Sequence, residues 1–451
     1  MSRLLLALPS SPPFTNTTLW MSVVIGVIAE THILTAGLIS AGGQFGPLIE
    51  LVGWVRRRPE YDWLAHGIGK GLAIAFAFSS VIPFIFVTVA LTGFAGHFWT
   101  TIVRILWVPL VIELFSFLFE VLLVYLWYYT WTQLSGKYKP LHICIGLLLV
   151  FDDFLQVLMI NTLASYMLTP GSFPPGYIFQ AMVNPTFYEL QVHRIVGNLA
   201  FVGYAIGAYA GWRFLRTRDV QHRARWDWMG SFGILWGTVF TLFQPIVGYS
   251  YAKEIQLDAY SAWYRMMLGQ LSNFFLFQIL LLGIMFSVGG FYFASRLRRE
   301  MAPGRTICRL LSWGLVASTV LAALPYQFAV SYDNIRGTSW DKPFWQGGLI
   351  NPFGEMIPFK VVALIAMSLF ALAIVFFYLR GLRYTTWGAA SRRAQYLLMI
   401  SVVLVTVMIA LMGFIRENGR NPDLIHGQIS ISQTPASTPS APPAPQSWWG
   451  R

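Results

Sequence analysis

The sequence predicts an all-α integral membrane protein with about ten transmembrane helices. Of its 451 residues, 56% are hydrophobic and only 11% are charged, and the mean hydropathy is +0.58. Soluble domains carry about 25% charged residues, so this composition excludes a soluble globular enzyme. Apolar stretches of about 20 residues or more, the length that crosses a bilayer, occur ten times.

Each apolar stretch is predicted to form one helix, and the first is long enough that we expect it to be only partly embedded. No segment repeats at a period of 20–50 residues, so no internal duplication is predicted. The ten predicted helices cover residues 19–54, 68–95, 99–132, 141–168, 188–215, 226–250, 262–297, 307–331, 357–380 and 393–416.

The charges predict the orientation. The loops after the odd-numbered helices are basic, and those after the even-numbered helices carry few cations; the basic segments are 56–58, 137–139, 213–225, 296–309 and 380–393. The positive-inside rule therefore predicts cytoplasmic odd loops and extracytoplasmic termini. Topology accounts for most of the net charge of +12, so membrane lipid is an expected partner and nucleic acid is not.

The domain organisation follows from these helices. Residues 1–18 form an N-terminal extracytoplasmic segment, 19–297 a helical core, and 298–420 additional helices with an outer loop at 332–356. The proline-rich loop 169–187 lies on the same outer side. Residues 421–451 are rich in Pro and Ser and are predicted to be a disordered tail.

Four side chains that could bind iron are predicted at a similar depth near the outer face: His32, His193, Met267 and Glu417. Counting back from the inner arginines at 1.5 Å per residue places His32 in the outer half of the first helix. Histidine and methionine are the usual protein ligands of haem. Taken singly, each is equally compatible with packing. The remaining histidines, His142 among them, are interpreted as solvated groups at helix ends.

Acidic side chains form a second set inside the predicted helices. Glu113 and Glu120 are seven residues apart and therefore share a helix face, and Asp152 and Asp153 lie in the middle of the fourth helix. Glu30 precedes His32 by two residues. Intramembrane carboxylates mark proton relays. The alternative is that they pair with buried cations; the candidates are Lys70, Arg104 and Lys360.

Several motifs together resemble subunit I of the cytochrome bd quinol oxidases. The resemblance covers roughly residues 25–297 and a short segment near 420. The motifs, in family order, are Gly69-Lys70 with the helix that carries Glu113 and Glu120, Asn184-Pro185 followed by His193, Arg265-Met266-Met267-Leu268-Gly269, and Glu417-Asn418-Gly419-Arg420-Asn421-Pro422.

This resemblance implies a bd-like haem-binding core over residues 19–297, in a multi-pass protein of the bacterial cytoplasmic (inner) membrane. His193 and Met267 would be the axial ligands of a low-spin haem b, with Arg265 beside its propionates. His32 would bind the oxygen-reducing haem. Glu417, supported by Arg420, would bind a high-spin haem, so a second and a third haem, of type b or d, are implied.

The same resemblance implies a role for the acids inside the predicted helices. Glu113 and Glu120 would match the acids near the two high-spin haems, and with Asp152 and Asp153 they would form the proton path. The two glutamates are seven residues apart here, whereas the family has eight.

The sequence also departs from the family. Its members carry a long quinol-binding loop after the sixth helix, but here only about a dozen residues, 249–260, are predicted to join the sixth and seventh helices. Ala164 and Gly413 replace a family Asn and Trp. The Glu-x-Gly-Arg motif ends the tenth helix instead of the eighth, so Asp333 with Arg336, at the end of the eighth helix, is a rival to Glu417. One helix is extra.

Three functions remain open from the sequence. The first is a haem-binding electron-transfer subunit of a respiratory complex that reduces oxygen, with electrons from an extracytoplasmic c-type cytochrome because the quinol loop is missing; a quinol site shared with another subunit is the competing source. The second is a non-catalytic bd-like anchor or electron conduit. The third is an ion-coupled transporter, against which the lack of an inverted repeat counts.

Overall fold

A computed structural model describes residues 19–94, 96–171, 178–267, 271–297, 302–323 and 359–420. The N-terminal segment 1–18, the loop 332–356 with Asp333 and Arg336, the tail 421–451 and residues 172–177 of the proline-rich loop lie outside these ranges. The α-helices are α1 (Leu19–Arg56), α2 (Pro59–Ser79), α3 (Val81–Ile85), α4 (Gly96–Ile105), α5 (Trp107–Tyr129), α6 (Lys139–Leu168), α7 (Ile178–Met182), α8 (Phe187–Arg216), α9 (Val220–Asp258), α10 (Tyr260–Met267), α11 (Ser272–Arg296), α12 (Ala302–Ala323), α13 (Phe359–Gly381) and α14 (Arg392–Arg420).

The predicted fold class is confirmed. Within the described residues, ten helical segments are long and apolar enough to cross a membrane. One of these spans is composite, because α2 continues through α3 into a π-helix over Phe86–Phe94. Large apolar side chains stay exposed along α2, α5 and α13, and a bilayer is the solvent that tolerates such surfaces.

Two predicted helices are divided in the structure. The third, 99–132, breaks at Leu106 into α4 and α5. Pro109 causes this break, since it has no N–H to donate to the carbonyl of Ile105 and its ring collides with that carbonyl. The seventh, 262–297, divides into α10 and α11, so Met267 ends a short helix and does not open the long one.

Two other helices are longer than predicted. The expected loop 249–260 is wrong, because α9 runs for 39 residues to Asp258 and Ala259 alone separates it from α10. Asp219 caps the start of α9 by accepting a 2.8 Å hydrogen bond from the His222 backbone N–H. At the other end of the chain, α14 includes Glu417 and Arg420, which were expected to follow it.

The described helices pack around two large apolar cores and a smaller one between α4, the end of α6 and α7. The first large core lies mainly between α1, α2, α5 and α6, and the second mainly between α8 and the helices α9 to α14. α8 and α9 join them and approach closely at glycines: a Cβ on Gly203 would lie 2.6 Å from the Gly237 nitrogen, and one on Gly233 would lie 2.5 Å from the Gly207 nitrogen. The α8–α9 crossing is therefore a contact of backbone on backbone, the GxxxG arrangement of membrane helices.

One end of the bundle, here called the basic end, carries the arginines at the ends of α1, α8, α11 and α13. A buried ion pair lies there: Arg296 donates to Asp227 at 2.7 Å, and the Gly388 backbone N–H donates to the same carboxylate at 2.8 Å. This contact fastens α9, α11 and the α13–α14 connection together. The far end of the bundle, the opposite end, holds the residues described next.

Candidate functional site

The opposite end gathers ionisable side chains from α1, α8 and α14 and a buried amide from α6. Arg194 of α8 donates to Asn161 Oδ1 at 2.5 Å, and Asn161 in turn donates to Gln191 at 2.8 Å. The charges of Arg194, Arg416 and Glu417 all act on Glu30. Residues nearly 400 positions apart in sequence thus share one polar region.

The two candidate histidines both present a buried ring nitrogen to this end of the bundle. Nδ1 of His32 and Nδ1 of His193 have no hydrogen-bond partner among the residues the structure describes. The His32 ring stacks on Phe86 with the centroids 5.0 Å apart, and the His193 ring lies 5.7 Å from Tyr251. An imidazole in apolar surroundings with a nitrogen left over has a free lone pair or N–H for a ligand.

The carboxylate of Glu417 contacts arginines of its own helix, α14. Arg420 donates through Nε to Glu417 Oε2 at 2.8 Å, and Arg416 lies 3.9 Å from the other oxygen. Arg420 also reaches Met167, and Arg416 donates to the Ala164 carbonyl, so both arginines bind α14 to α6. Glu417 is therefore half of an ion pair in this structure.

The Arg265–Gly269 and Glu417–Pro422 motifs meet. Arg265 donates to the Gly419 carbonyl at 2.7 Å, and Met266 packs so closely on Gly419 that a Cβ there would lie 2.6 Å from Met266 Cγ. Met267 is buried in the same apolar core as Tyr251, the residue that contacts His193. His193 therefore contacts one member of the core that buries Met267, and the described residues show no direct contact between His193 and Met267.

Glu30 occupies the space that a small residue on α14 leaves open. Its carboxyl lies against Gly413, where any larger side chain would collide with it, and its Oε2 is buried without a partner in the described part of the chain. Gly413 is the position where the resembling family carries Trp. A second carboxyl group therefore lies near Glu417, and no arginine in the described ranges forms an ion pair with it.

These residues fit a haem. The orphaned imidazole nitrogens suit iron, the surrounding aromatic and aliphatic side chains suit a porphyrin, and guanidinium groups recognise carboxylates such as the haem propionates. Four arginines (Arg194, Arg265, Arg416 and Arg420) share the region with the carboxylates of Glu30 and Glu417. Two further negative charges would balance this set.

The four predicted proton-path acids come together between α5 and α6. Ser116 donates to Asp152 at 2.5 Å, and Gln156 donates to Glu120 at 2.8 Å and to Asp152 at 3.4 Å. Asp153 is 0% exposed, lies against Gly43 of α1, and has no donor to either oxygen within the described chain. The hydrogen bonds on these carboxyls come from neutral side chains.

Electrostatic interactions link the acid cluster to the opposite end of the bundle. Glu113 interacts electrostatically with Glu120, with Asp152 and with Arg194 of the histidine region. The side chain of Lys360, one proposed pairing cation, lies outside the described residues. The acid cluster and the histidine region are therefore neighbours.

Sequence reasoning missed the polar residues that support both regions. Arg194, Asn161 and Gln191 form one chain of hydrogen bonds, and Gln156 and Ser116 hold the acids. Arg194 adjoins His193, so a buried arginine beside a candidate ligand was the available signal. The expectation that His142 is solvated is wrong: it is 0% exposed and bonded to Glu50.

The asparagine of the Asn184-Pro185 motif has a structural part in this site. Asn184 donates to Ser165 at 2.9 Å and to the Ala181 carbonyl at 3.2 Å, which fastens the segment before α8 to the end of α6. The motif thereby sets where α8 begins and at what height His193 lies.

Fold and site together define a polytopic membrane protein with a polar, haem-compatible interior. The family model for cytochrome bd terminal oxidase subunit I matches residues 23–261, more than half of the chain. The protein belongs to this family. The match includes His32, His193 and the four acids and ends before Arg265.

The chain was also compared with solved structures and with curated proteins. The solved structure of bd oxidase from Geobacillus thermodenitrificans is similar with a TM-score of 0.49 and 15% identity, over 90% of this chain and 98% of that one. No curated protein matches the sequence. The chain is thus a multi-pass respiratory membrane subunit of a haem-binding family.

Proposed function

We propose that this protein is a haem-binding electron-transfer subunit that reduces oxygen with electrons from an extracytoplasmic c-type cytochrome. The observation that carries the proposal is the pair of histidines with unpartnered ring nitrogens, which face the same arginine-rich end in a bd-family chain. The basic end is assigned to the cytoplasm of a bacterial inner membrane by the positive-inside rule, so both termini are extracytoplasmic.

The low-spin haem b is assigned to His193 and Met267, with Arg265 beside its propionates. His193 contacts Tyr251, and Met267 is buried in the core that contains Tyr251. A His–Met pair raises haem potential relative to two histidines, which suits the entry point of electrons.

A second haem, of type b or d, is assigned to His32. A carboxylate ligand for a third comes from Glu417, with Arg420 supporting it, or from Glu30. Glu417 would have to leave its ion pair with Arg420 to bind iron, whereas Glu30 has a free buried oxygen. Bound haem would supply the one-electron redox centre and an open axial position for a diatomic ligand.

The acid cluster is assigned to proton supply. Glu120 and Asp152 share Gln156 as a donor, so the amide holds the two carboxyl groups in one line of hydrogen bonds. Asp153 and Glu113 extend this line toward α1 and toward Arg194. Protons for oxygen reduction would pass along these four side chains.

Visible spectroscopy of the purified protein tests the proposal. We expect haem bands in a reduced-minus-oxidised spectrum, extraction of haem b, and a shift of the reduced spectrum with carbon monoxide that is lost in His32→Ala. Protein without haem bands would be an anchor or a transporter. Haem bands without a carbon monoxide shift would identify an electron conduit that does not reduce oxygen.

A further inference from the structure

A second polar network lies at the basic end, far from the candidate haem region. Glu50 of α1 is 0% exposed, and its Oε1 lies 2.6 Å from both Lys139 Nζ and His142 Nδ1. Its Oε2 accepts a 2.7 Å hydrogen bond from the Trp127 indole. Three helices, α1, α5 and α6, therefore converge on one buried carboxylate.

The hydrogen bonds fix where the protons of this network are. Nε2 of His142 lies 2.8 Å from the Trp127 carbonyl, which can only accept, so Nε2 carries a hydrogen. The 2.6 Å contact between Nδ1 and Glu50 needs one more hydrogen, since two bare acceptors would repel each other. His142 and Glu50 therefore hold a proton between them.

A cavity at the basic end approaches this network through Lys139. This cavity of about 460 Å³ is lined by Trp54, Asp62, Trp131, Thr132, Ser135, Gly136 and Lys139. It has ample room and polar partners for water. Lys139 joins the cavity to the interior, because it bonds the half-exposed Asp62 at 3.1 Å and the buried Glu50 at 2.6 Å.

The interior side of the network faces the acid cluster. His142 and Asp153 are eleven residues apart on α6, about three turns, so they share one helix face. Glu50 and Gly43, their respective contacts on α1, are two turns apart on one face as well. Pro47, packed on Gly146 between them, has no N–H to donate to the Gly43 carbonyl, so the regular helical hydrogen bond of α1 is missing at that position.

We propose that the Glu50–His142 pair is a proton-exchange site at the basic end, loaded from the Asp62–Lys139 cavity and placed at the start of the α1–α6 seam that leads to Asp153. The other titratable groups facing it are Asp62, His66 and Lys70 of α2, Tyr128 of α5 and Lys139 of α6. This inference goes beyond the haem site and needs no haem.

Nuclear magnetic resonance of the full-length protein in lipid nanodiscs tests it, with ¹⁵N-labelled histidine and the His142 signal assigned by its loss in His142→Gln or by its contact with the Trp127 indole. We expect two N–H groups on the His142 ring in the native protein, and exchange of the Nδ1 hydrogen for deuterium when the solvent is changed to D₂O. Glu50→Gln should leave a single N–H, on Nε2. Glu60→Gln, an exposed acid at the same end, should change nothing.

A variant that fills the cavity tests the role of the cavity separately. Ser135→Trp should fill it and slow deuterium exchange of the His142 ring, an expectation that holds even where Glu50→Gln does not fold. A native His142 with one N–H, or with two that do not exchange with solvent deuterium, would give the network a purely structural role and overturn the proposal. Exchange unaffected by Ser135→Trp would overturn the role of the cavity. None of these readouts depends on haem content.

Discussion

Two adjacent methionines in α10 differ in one contact, and this difference makes the axial ligand testable. Both are buried in the core that contains Tyr251, and Met266 in addition packs on Gly419. We expect Met267→Leu to convert a low-spin haem signal to high spin, because leucine keeps the volume but removes the sulfur that binds iron. Electron paramagnetic resonance of the oxidised protein measures this change.

Met266→Leu is the matched control and should leave the low-spin signal intact. If Met266→Leu abolishes that signal and Met267→Leu does not, the ligand is Met266, and α10 must turn relative to α14 when haem binds.

Glu120 is the acid whose removal separates proton supply from haem binding. In Glu120→Gln the amide oxygen can still accept from Gln156, so the local structure should survive. We expect oxygen consumption to fall by roughly 10²-fold, the usual contribution of a positioned proton-transfer group, with haem content unchanged.

Glu60→Gln, at an exposed acid paired with Arg58, should retain full oxygen consumption. Equal activity in Glu120→Gln would instead favour a purely structural role for the cluster.

For single side chains, the sequence was a better guide to which residues belong to the candidate site than to the contacts they make. His32, His193 and the four acids could be chosen because ionisable groups are costly in a bilayer. Arg420 was expected beside Glu417 only from the family resemblance, and their direct ion pair depends on α14 extending one more turn, so that Arg420 faces Glu417. The opening that Gly413 gives to Glu30 depends on how α1 and α14 pack, which no local pattern encodes.

Among the elements, the α8–α9 pair is the most closely packed part of the fold and positions His193. We expect Gly203→Ala to lower the free energy of unfolding by about 1–3 kcal/mol, because the new methyl group would overlap the Gly237 backbone and force the helices apart. Thermal unfolding in detergent, followed by circular dichroism, checks this.

Gly71→Ala is the matched control, since a methyl group there meets no atom within 4 Å. It should be neutral or stabilising by roughly 0.5–1 kcal/mol, as alanine favours helix over glycine. Equal melting temperatures for the two variants would mean that the α8–α9 crossing is looser than the structure shows.

Helix boundaries show where sequence patterns lose precision. Hydropathy located every span, but it set the end of the sixth helix eight residues short of Asp258, because polar residues in the last turns resemble a loop. Hydropathy also did not detect the helix break at Leu106, although Pro109 indicated it. Hydropathy reports transfer into lipid, whereas helix ends depend on backbone hydrogen bonds.

For the whole molecule, the direct passage from α9 to α10 at Ala259 leaves no room for the long quinol-binding loop that the resembling family carries. We therefore expect a reduced c-type cytochrome to reduce the His193–Met267 haem rapidly in stopped-flow mixing. A quinol added alone should react slowly with the isolated subunit. Ionic strength should affect only the cytochrome reaction, since charged surfaces steer protein encounters.

Rapid haem reduction by quinol in the isolated subunit would contradict this donor assignment. A quinol reaction that appears only with a second subunit present would place the donor site at the subunit interface.

The ion pair at the basic end also has a consequence for biosynthesis. Asp227 accepts from Arg296, 69 positions later, and from Gly388, 161 positions later. A chain is made from its N-terminus, so α9 is complete long before either donor has left the ribosome. Until then Asp227 has neither of these partners. The contact between α9, α11 and the α13–α14 connection can form only after α13 has been made, so the last part of the chain completes the packing of the basic end.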